Sequence, residues 1–336
     1  MTIPPPDPTR WNRRAKTIPA MLGLAVAAVV LAPALIPIAI VWDLARLRWR
    51  YPTLRLYGFV TQYLLNDSVE ILAAGPLWLA AGFGTRLDRP RSQRRHQRLQ
   101  AWSIALLARR ADQLLGVRIH SDHDLTRTLT PAPAIVVCRH VSLFDASLPS
   151  LLYQRLGIHT RGVIMAELLA DPGFDLLYQR VGSVFIPRDN SPDARHEAAR
   201  VGHQLDQATV AVIFPEGRLF RPEVLTRSIA RLTERDPRRA ERLAGLRHLL
   251  PPRPAGLMSL LDTSPAVDVV IINHAGLDHF PTLAELARHA PLTRPIEVTA
   301  TRIPRRDIPD DASGRIAWLD RLWCDMDSWV HEQLTP

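Results

Sequence analysis

Between Ile18 and Trp42 the chain runs for 25 residues without one charged side chain: IPAMLGLAVAAVVLAPALIPIAIVW. At a rise of about 1.5 Å per residue, a helix of that length crosses a hydrocarbon core of about 30 Å. Pro33 and Pro37 are expected to kink it, which bilayer helices tolerate. Arg13, Arg14 and Lys16 ahead of the run, with Ala32-Pro33-Ala34 inside it, also fit a cleaved signal peptide. The apolar run, however, continues past that point to Trp42 and is longer than a signal h-region. A retained membrane anchor is the expectation.

A second apolar stretch, Leu56 to Gly84, is interrupted by Asn66, Asp67 and Glu70. Such groups are costly inside lipid unless they are paired or face a cavity. Three arrangements stay open: a second span, a hairpin with the first segment, or a helix lying in the interface. Arginines flank the first segment on both sides (Arg10, Arg13, Arg14; Arg46, Arg48, Arg50), so the positive-inside rule assigns no orientation. Residues 86–110 carry eight arginines around the apolar Trp102–Leu107, as expected of a basic amphipathic face against anionic headgroups. A nucleic-acid stripe is the rival reading, but no recognisable nucleic-acid module accompanies it.

All but one of the 42 cationic residues are arginine; the single lysine, Lys16, stands beside the apolar run. Lysine Schiff-base chemistry and lysine-bearing phosphate loops therefore lack a residue to carry them. Two cysteines, Cys138 and Cys324, build neither a disulfide framework nor a four-ligand zinc site.

From about Val117 the pattern changes. Short runs rich in β-branched residues occur at Val117–His120, Ile135–Cys138, Val163–Met165, Val184–Ile186, Val210–Phe214, Val267–Ile272 and Ile296–Ile303, with helical stretches between them, notably Ala146–Leu156, Pro192–Gln207 and Ile316–Leu334. The expected fold is α/β, with a mixed, largely parallel central sheet flanked by helices and preceded by N-terminal membrane helices. Three regions follow: a membrane anchor at 1–85, a basic membrane-surface helix at 86–116, and an α/β domain at 117–336. The charged, proline-punctuated residues 221–254 are expected to form an insertion within that domain.

Three segments carry chemistry. The run ending at Cys138 leads into Arg139-His140-Val141-Ser142-Leu143-Phe144-Asp145, the one His-x4-Asp pair in the chain. Five residues along a regular helix turn about 500°, so the two side chains meet only if His140 lies in the turn after the strand and Asp145 in the first helical turn. Ser142-x-x-Asp145 is a helix-start pattern that fits this. Gly182-Ser183-Val184-Phe185-Ile186-Pro187-Arg188 and Phe214-Pro215-Glu216-Gly217-Arg218 each set an arginine just past a strand. In parallel strands His140, Arg188 and Arg218 leave the sheet at the same carboxyl edge, where open α/β sheets bind ligands. Two guanidinium groups beside a base suit a phosphate-bearing substrate, and Gly217 lets the backbone approach it closely. Cys138 invites a cysteine nucleophile but fits a small core hydrophobe better. His274, Asp278 and His279 are a weak metal pattern. Trp318, Leu322, Trp323, Met326, Trp329 and Val330 follow helical spacing, as core or membrane contacts do.

These segments resemble the glycerolipid acyltransferase family that includes 1-acylglycerol-3-phosphate acyltransferases. Its pattern is N-H-x4-D, G-x-x-F-I-x-R and F-P-E-G-T-R, in this order. The second block matches fully; the first has Arg139 in place of asparagine, and the third lacks the threonine. Leu249–Gly256 and Ala266–Ile271 are similar to the long-insert branch, which holds lysophosphatidate, lysocardiolipin and lysophosphatidylinositol acyltransferases. The resemblance implies acyl transfer without an acyl-enzyme: His140 as general base, Asp145 orienting it, Arg188 and Arg218 on the phosphate of a lysophospholipid, Gly217 beside it, and Glu216 on the glycerol or on an arginine. It implies no metal and no cofactor, with acyl-CoA or acyl carrier protein as donor, a bilayer as partner, and an integral protein of the cell membrane with its catalytic domain on the cytoplasmic face. The rival class is a membrane-tethered, non-catalytic protein that binds anionic lipid or nucleic acid.

Overall fold

A computed structural model describes residues 9–121, 124–187, 192–278, 280, 282, 285 and 288–335. The chain forms two compact units. The first comprises Met1–Arg118, Ala166–Phe185 and Leu283–Pro295; the second comprises Ile119–Met165, Ile186–Thr282 and Ile296–Pro336.

In the first unit, α1 (Arg10–Val30) and α2 (Ala32–Ala45) replace the single expected anchor. The chain bends by 68° between them. Pro33 accounts for the position of the break, because its ring clashes with the carbonyl of Val29 and it has no N–H to continue the helix. Pro37, expected to kink the segment too, lies within α2. Among the described residues no single helix is long and apolar enough to cross a membrane; α1 and α2 meet that requirement only as a bent pair.

The next two helices are α3 (Pro52–Ala80) and α4 (Pro90–Leu115). They turn polar residues inward: Asn66, Asp67 and Glu70 on α3, and Gln93, His96, Gln97, Gln100 and Ser103 on α4, are all buried. Ser103 accepts from Asn66 Nδ2 at 2.6 Å and donates to Glu70. The eight arginines of 86–110 are all exposed, as an outward basic face requires, but Trp102, expected in its apolar core, is 45% exposed. Leu24, Val30, Ile38, Val41, Leu72 and Phe83 also point outward. This unit buries polar groups and exposes apolar ones, the reverse of an ordinary water-facing helical bundle.

The second unit contains β1 (Ile119–Ser121), α5 (Leu125–Leu129), β2 (Ala134–Cys138), α6 (Leu148–Gln154) and β3 (His159–Met165). After β4 (Val184–Ile186), which straddles the boundary between the units, come α7 (Pro192–His203), β5 (Thr209–Ile213), α8 (Pro222–Arg235), α9 (Pro237–Leu243) and α10 (Pro254–Thr263). The chain ends with β6 (Asp268–Ala275), β7 (Ile296–Ile303) and α11 (Ala312–Leu334). Six strands lie in the order β1-β7-β6-β2-β5-β3. All their pairings are parallel except β6 with β7, so the sheet is mixed and largely parallel. Every residue of β2 and β5 is buried, which is why both read as unbroken apolar runs.

The insertion is fastened to the same core. Asp320 of α11 accepts from Arg239 Nε at 2.9 Å, and Arg239 also donates to the Pro252 carbonyl at 2.7 Å. Asp327 receives the backbone N–H groups of Arg247, His248 and Leu249 at 2.6–3.1 Å. Trp318, Trp323, Met326 and Val330 are buried, so the aromatic stripe of the last helix is core.

Candidate active site

Val137 stands in register with Ile213 of β5 on one side and Ile271 of β6 on the other, all three strands running in the same direction. The segments after β2 and β5, and the last turns of β6, therefore reach one edge of the sheet. His140 is in the loop after β2. Asp145 opens a 3₁₀ turn that leads into α6, as the helix-start pattern predicts.

The imidazole Nδ1 of His140 lies 2.6 Å from Asp145 Oδ1. Asp145 is completely buried, and its Oδ2 accepts the N–H groups of Val141 and Ser142 at 2.5 and 2.8 Å. The two backbone bonds fix the carboxylate, and the carboxylate fixes the ring. Burial pushes the His140 pKa down, but the charge of Asp145, its hydrogen bond and the charge of Glu216 outweigh burial and raise it above the ordinary histidine value. Burial pushes Asp145 up, yet the His140 charge and hydrogen bond, His274 and the backbone donors hold it below the usual carboxylate range. The ring of Phe214 lies 4.9 Å from the imidazole, centroid to centroid.

Glu216 is buried, and both its oxygens face backbone: Oε1 accepts from His140 N–H at 2.7 Å and Oε2 from Leu250 N–H at 2.9 Å. The carboxylate expected on the glycerol or on an arginine is thus a strut between the His140 loop and the insertion. Gly217 has φ +64°, a conformation that favours glycine. Phe220 N–H donates to the His140 carbonyl at 2.8 Å, which ties the segment carrying Arg218 to the loop after β2. The Nε of Arg218 is buried without a hydrogen-bond partner among the described residues. Arg188 lies outside the described residues, as does His279.

Arg139, which stands where the resembling family has asparagine, is completely buried. It donates to Asp278 Oδ1 at 2.6 Å and to the carbonyls of His274 and His248 at 3.0 Å. His274 is also fully buried, its Nε2 at 3.8 Å from Asp145 Oδ2 and 3.3 Å from the Arg139 carbonyl; burial pushes its pKa down. His274 and Asp278, with Arg139, therefore form a brace behind the His140–Asp145 pair. The sequence marks it only as a weak metal pattern, and among the described residues no cluster of three ligating side chains is placed to hold a metal. Cys138 is buried and burial pushes its thiol pKa well up, which suits a core residue and not a thiolate nucleophile.

A histidine held by a buried carboxylate, with its second nitrogen left to accept a proton, has the arrangement that general-base catalysis uses. Residues 116–275 match the acyltransferase family. None of the curated proteins matches the chain. Among solved structures it is similar to the crystal structure of the 1-acyl-sn-glycerophosphate (LPA) acyltransferase PlsC from Thermotoga maritima, with 15% identity, a TM-score of 0.48, and coverage of 82% of this chain and 98% of that chain.

Proposed function

We infer that this chain, whose residues 116–275 match the acyltransferase family, moves a fatty acyl group from an acyl thioester to the free hydroxyl of a lysophospholipid. The acceptor we assign is 1-acyl-sn-glycerol 3-phosphate, and the product is phosphatidate. The observation that carries this reading is the 2.6 Å contact between His140 Nδ1 and a fully buried Asp145 at the carboxyl edge of β2.

With Nδ1–H donated to Asp145, Nε2 takes the proton of the acceptor hydroxyl as its oxygen attacks the thioester carbonyl. Asp145 stabilises the imidazolium that forms. Collapse of the tetrahedral intermediate breaks the C–S bond, and the imidazolium returns its proton to the departing thiolate. Positioned general-base catalysis is worth about 10²–10⁴-fold. Holding two large substrates in line contributes at least a comparable factor. Arg218, tied to the same loop, supplies positive charge for the acceptor's phosphate. The bent helix pair and the outward apolar residues of the first unit support attachment to a bilayer, with anionic headgroups under the exposed arginines of α4. The donors are cytosolic, so we place the second unit on the cytoplasmic face of the cell membrane.

The test is to incubate the purified full chain with lysophosphatidate, lysophosphatidylinositol or monolysocardiolipin, each with acyl-CoA or acyl carrier protein thioester, and to identify products by mass. Phosphatidate as the dominant product supports the assignment. A different diacyl product reassigns the acceptor, and no acyl transfer by a folded protein overturns the reading.

A further inference from the structure

The insertion contains one helix that the core does not account for. α8 runs for 14 residues and none of them is buried, whereas α9, with 7, buries Arg239, Ala240 and Leu243. Among the described elements, α8 packs chiefly on α9. The corner between them is fixed: Asp236 Oδ1 accepts from Arg239 N–H at 3.1 Å, and the Arg239 side chain is paired with Asp320. The helix is therefore firmly mounted and peripheral.

Its side chains are nevertheless sorted. At about 100° per residue, Val224, Leu225, Ile229 and Leu232 form one stripe about 140° wide, with Ser228 among them. These four apolar residues are part-buried. Arg227, Arg231 and Arg235, spaced four apart, follow one border of the stripe, and Glu223 and Glu234 lie on the opposite side; all five are exposed. A helix at a bilayer surface has this gradient: apolar side chains down, guanidinium groups at headgroup level, carboxylates in the water. The charge order also selects the partner, because an anionic surface attracts the arginine border and repels the acids. α8 starts two residues after Phe220, whose N–H donates to the His140 carbonyl at 2.8 Å. It therefore leaves from the edge of the sheet where His140 stands.

We propose that α8 is an interfacial helix that docks the second unit on an anionic lipid surface. Val224, Leu225, Ile229 and Leu232 enter the acyl boundary, and Arg227, Arg231 and Arg235 meet lipid phosphates. That this surface delivers the acceptor to His140 rests on the acyl-transfer reading above. The test uses the full chain carrying Cys324→Ser, which leaves the buried Cys138 as its one native thiol. A nitroxide is attached at Ile229→Cys or at Glu234→Cys, and its relaxation by oxygen and by an aqueous nickel chelate is compared. On phosphatidylglycerol vesicles the Ile229 label is expected to shift from the nickel chelate toward oxygen, whereas the Glu234 label stays open to nickel. On phosphatidylcholine vesicles the shift is small, and Arg227→Gln/Arg231→Gln/Arg235→Gln abolishes it on phosphatidylglycerol. An Ile229 label equally open to nickel on both vesicles overturns the docking, and so does protection indifferent to lipid charge. Protection of both labels alike points to burial in a protein contact and also overturns it.

Kinetics read the same helix through the substrate. Each arginine near an anionic surface contributes about fivefold in affinity, so the triple variant raises KM for lysophosphatidate presented in phosphatidylglycerol vesicles about 10–100-fold. Its kcat, and its KM for a short-chain lysophosphatidate in free solution, stay at wild-type values, which a folding defect would not spare. An unchanged KM on the vesicles is incompatible with the docked helix. A chain that transfers no acyl group but keeps the charge-dependent protection of Ile229 loses the enzymatic reading and retains the docking.

Discussion

His140 Nδ1 and Asp145 Oδ1 lie 2.6 Å apart, and the carboxylate is held from behind by the N–H groups of Val141 and Ser142. The five-residue spacing is thus one local device, a turn that points the ring and fixes its tautomer. His140→Ala removes the base. The expected outcome is a fall of about 10²–10⁴-fold in kcat with an unchanged melting temperature, measured by single-turnover acyl transfer and thermal unfolding. Near-normal turnover in a folded variant would remove His140 from the chemistry.

The pH profile follows from the same pair. The base must be neutral to accept a proton, and His140 titrates above the ordinary histidine value of about 6.5. Activity is therefore lost as pH falls through a pKa above 6.5, which appears as the acidic limb of kcat/KM. In Asp145→Asn the charge and hydrogen bond that raise the pKa are gone, while burial, which lowers it, remains. The limb is expected to move to lower pH and the plateau to drop, because the asparagine no longer stabilises the imidazolium. A limb that stays in place in Asp145→Asn rules out the coupling.

Much of this is legible in the sequence. The bounds expected for Val184–Ile186 and Ile296–Ile303 match the observed strands, because short runs rich in β-branched residues between turn signals mark strands whether or not both faces are buried. The turn between His140 and Asp145 is legible because helix geometry allows no other way for them to meet. The break between α1 and α2 is less so: hydropathy counts an uncharged run as one element, whereas Pro33 divides it. The inward face of α4 is hidden because Gln93, Gln97 and Gln100 look like a solvated surface until Asn66 and Glu70 face that helix. Arg139 and Asp278 are 139 residues apart, and no local pattern joins them.

Glu216 carries a prediction of its own. Both oxygens accept backbone N–H groups, and burial, the dominant influence, pushes its pKa up to about 7. A carboxyl whose folded pKa is raised contributes stability below its unfolded pKa of about 4.3 and loses it as pH rises through about 7. Glu216→Gln must turn an NH₂ toward either His140 N–H or Leu250 N–H, leaving one donor unmet at a cost of about 1–3 kcal/mol. The expected result is a lower melting temperature that no longer declines between pH 5 and 7. Because the lost contact displaces the His140 backbone, kcat falls about 10–100-fold with little change in KM. Wild-type kcat in this variant would show that the strut does not position the base.

The strongest stability effect is expected at Arg139, whose guanidinium has no solvent exposure and, among the described residues, one carboxylate partner, Asp278 at 2.6 Å. Asp278→Ala leaves a buried cation uncompensated, at a cost of about 3–5 kcal/mol. At about 2–4 °C per kcal/mol for domains of 150–250 residues, its melting temperature falls by roughly 6–20 °C. The double variant Arg139→Met/Asp278→Leu removes both charges and is expected to melt well above Asp278→Ala, since apolar replacements of buried pairs are often neutral or better. It should not recover turnover fully, because the carbonyls of His274 and His248 have lost their donor and His140 is the next residue in the chain. Differential scanning calorimetry of the three proteins gives the order: wild type and double variant together, the single variant far below. If Asp278→Ala melts with the wild type, the pair is not what braces this end of β2.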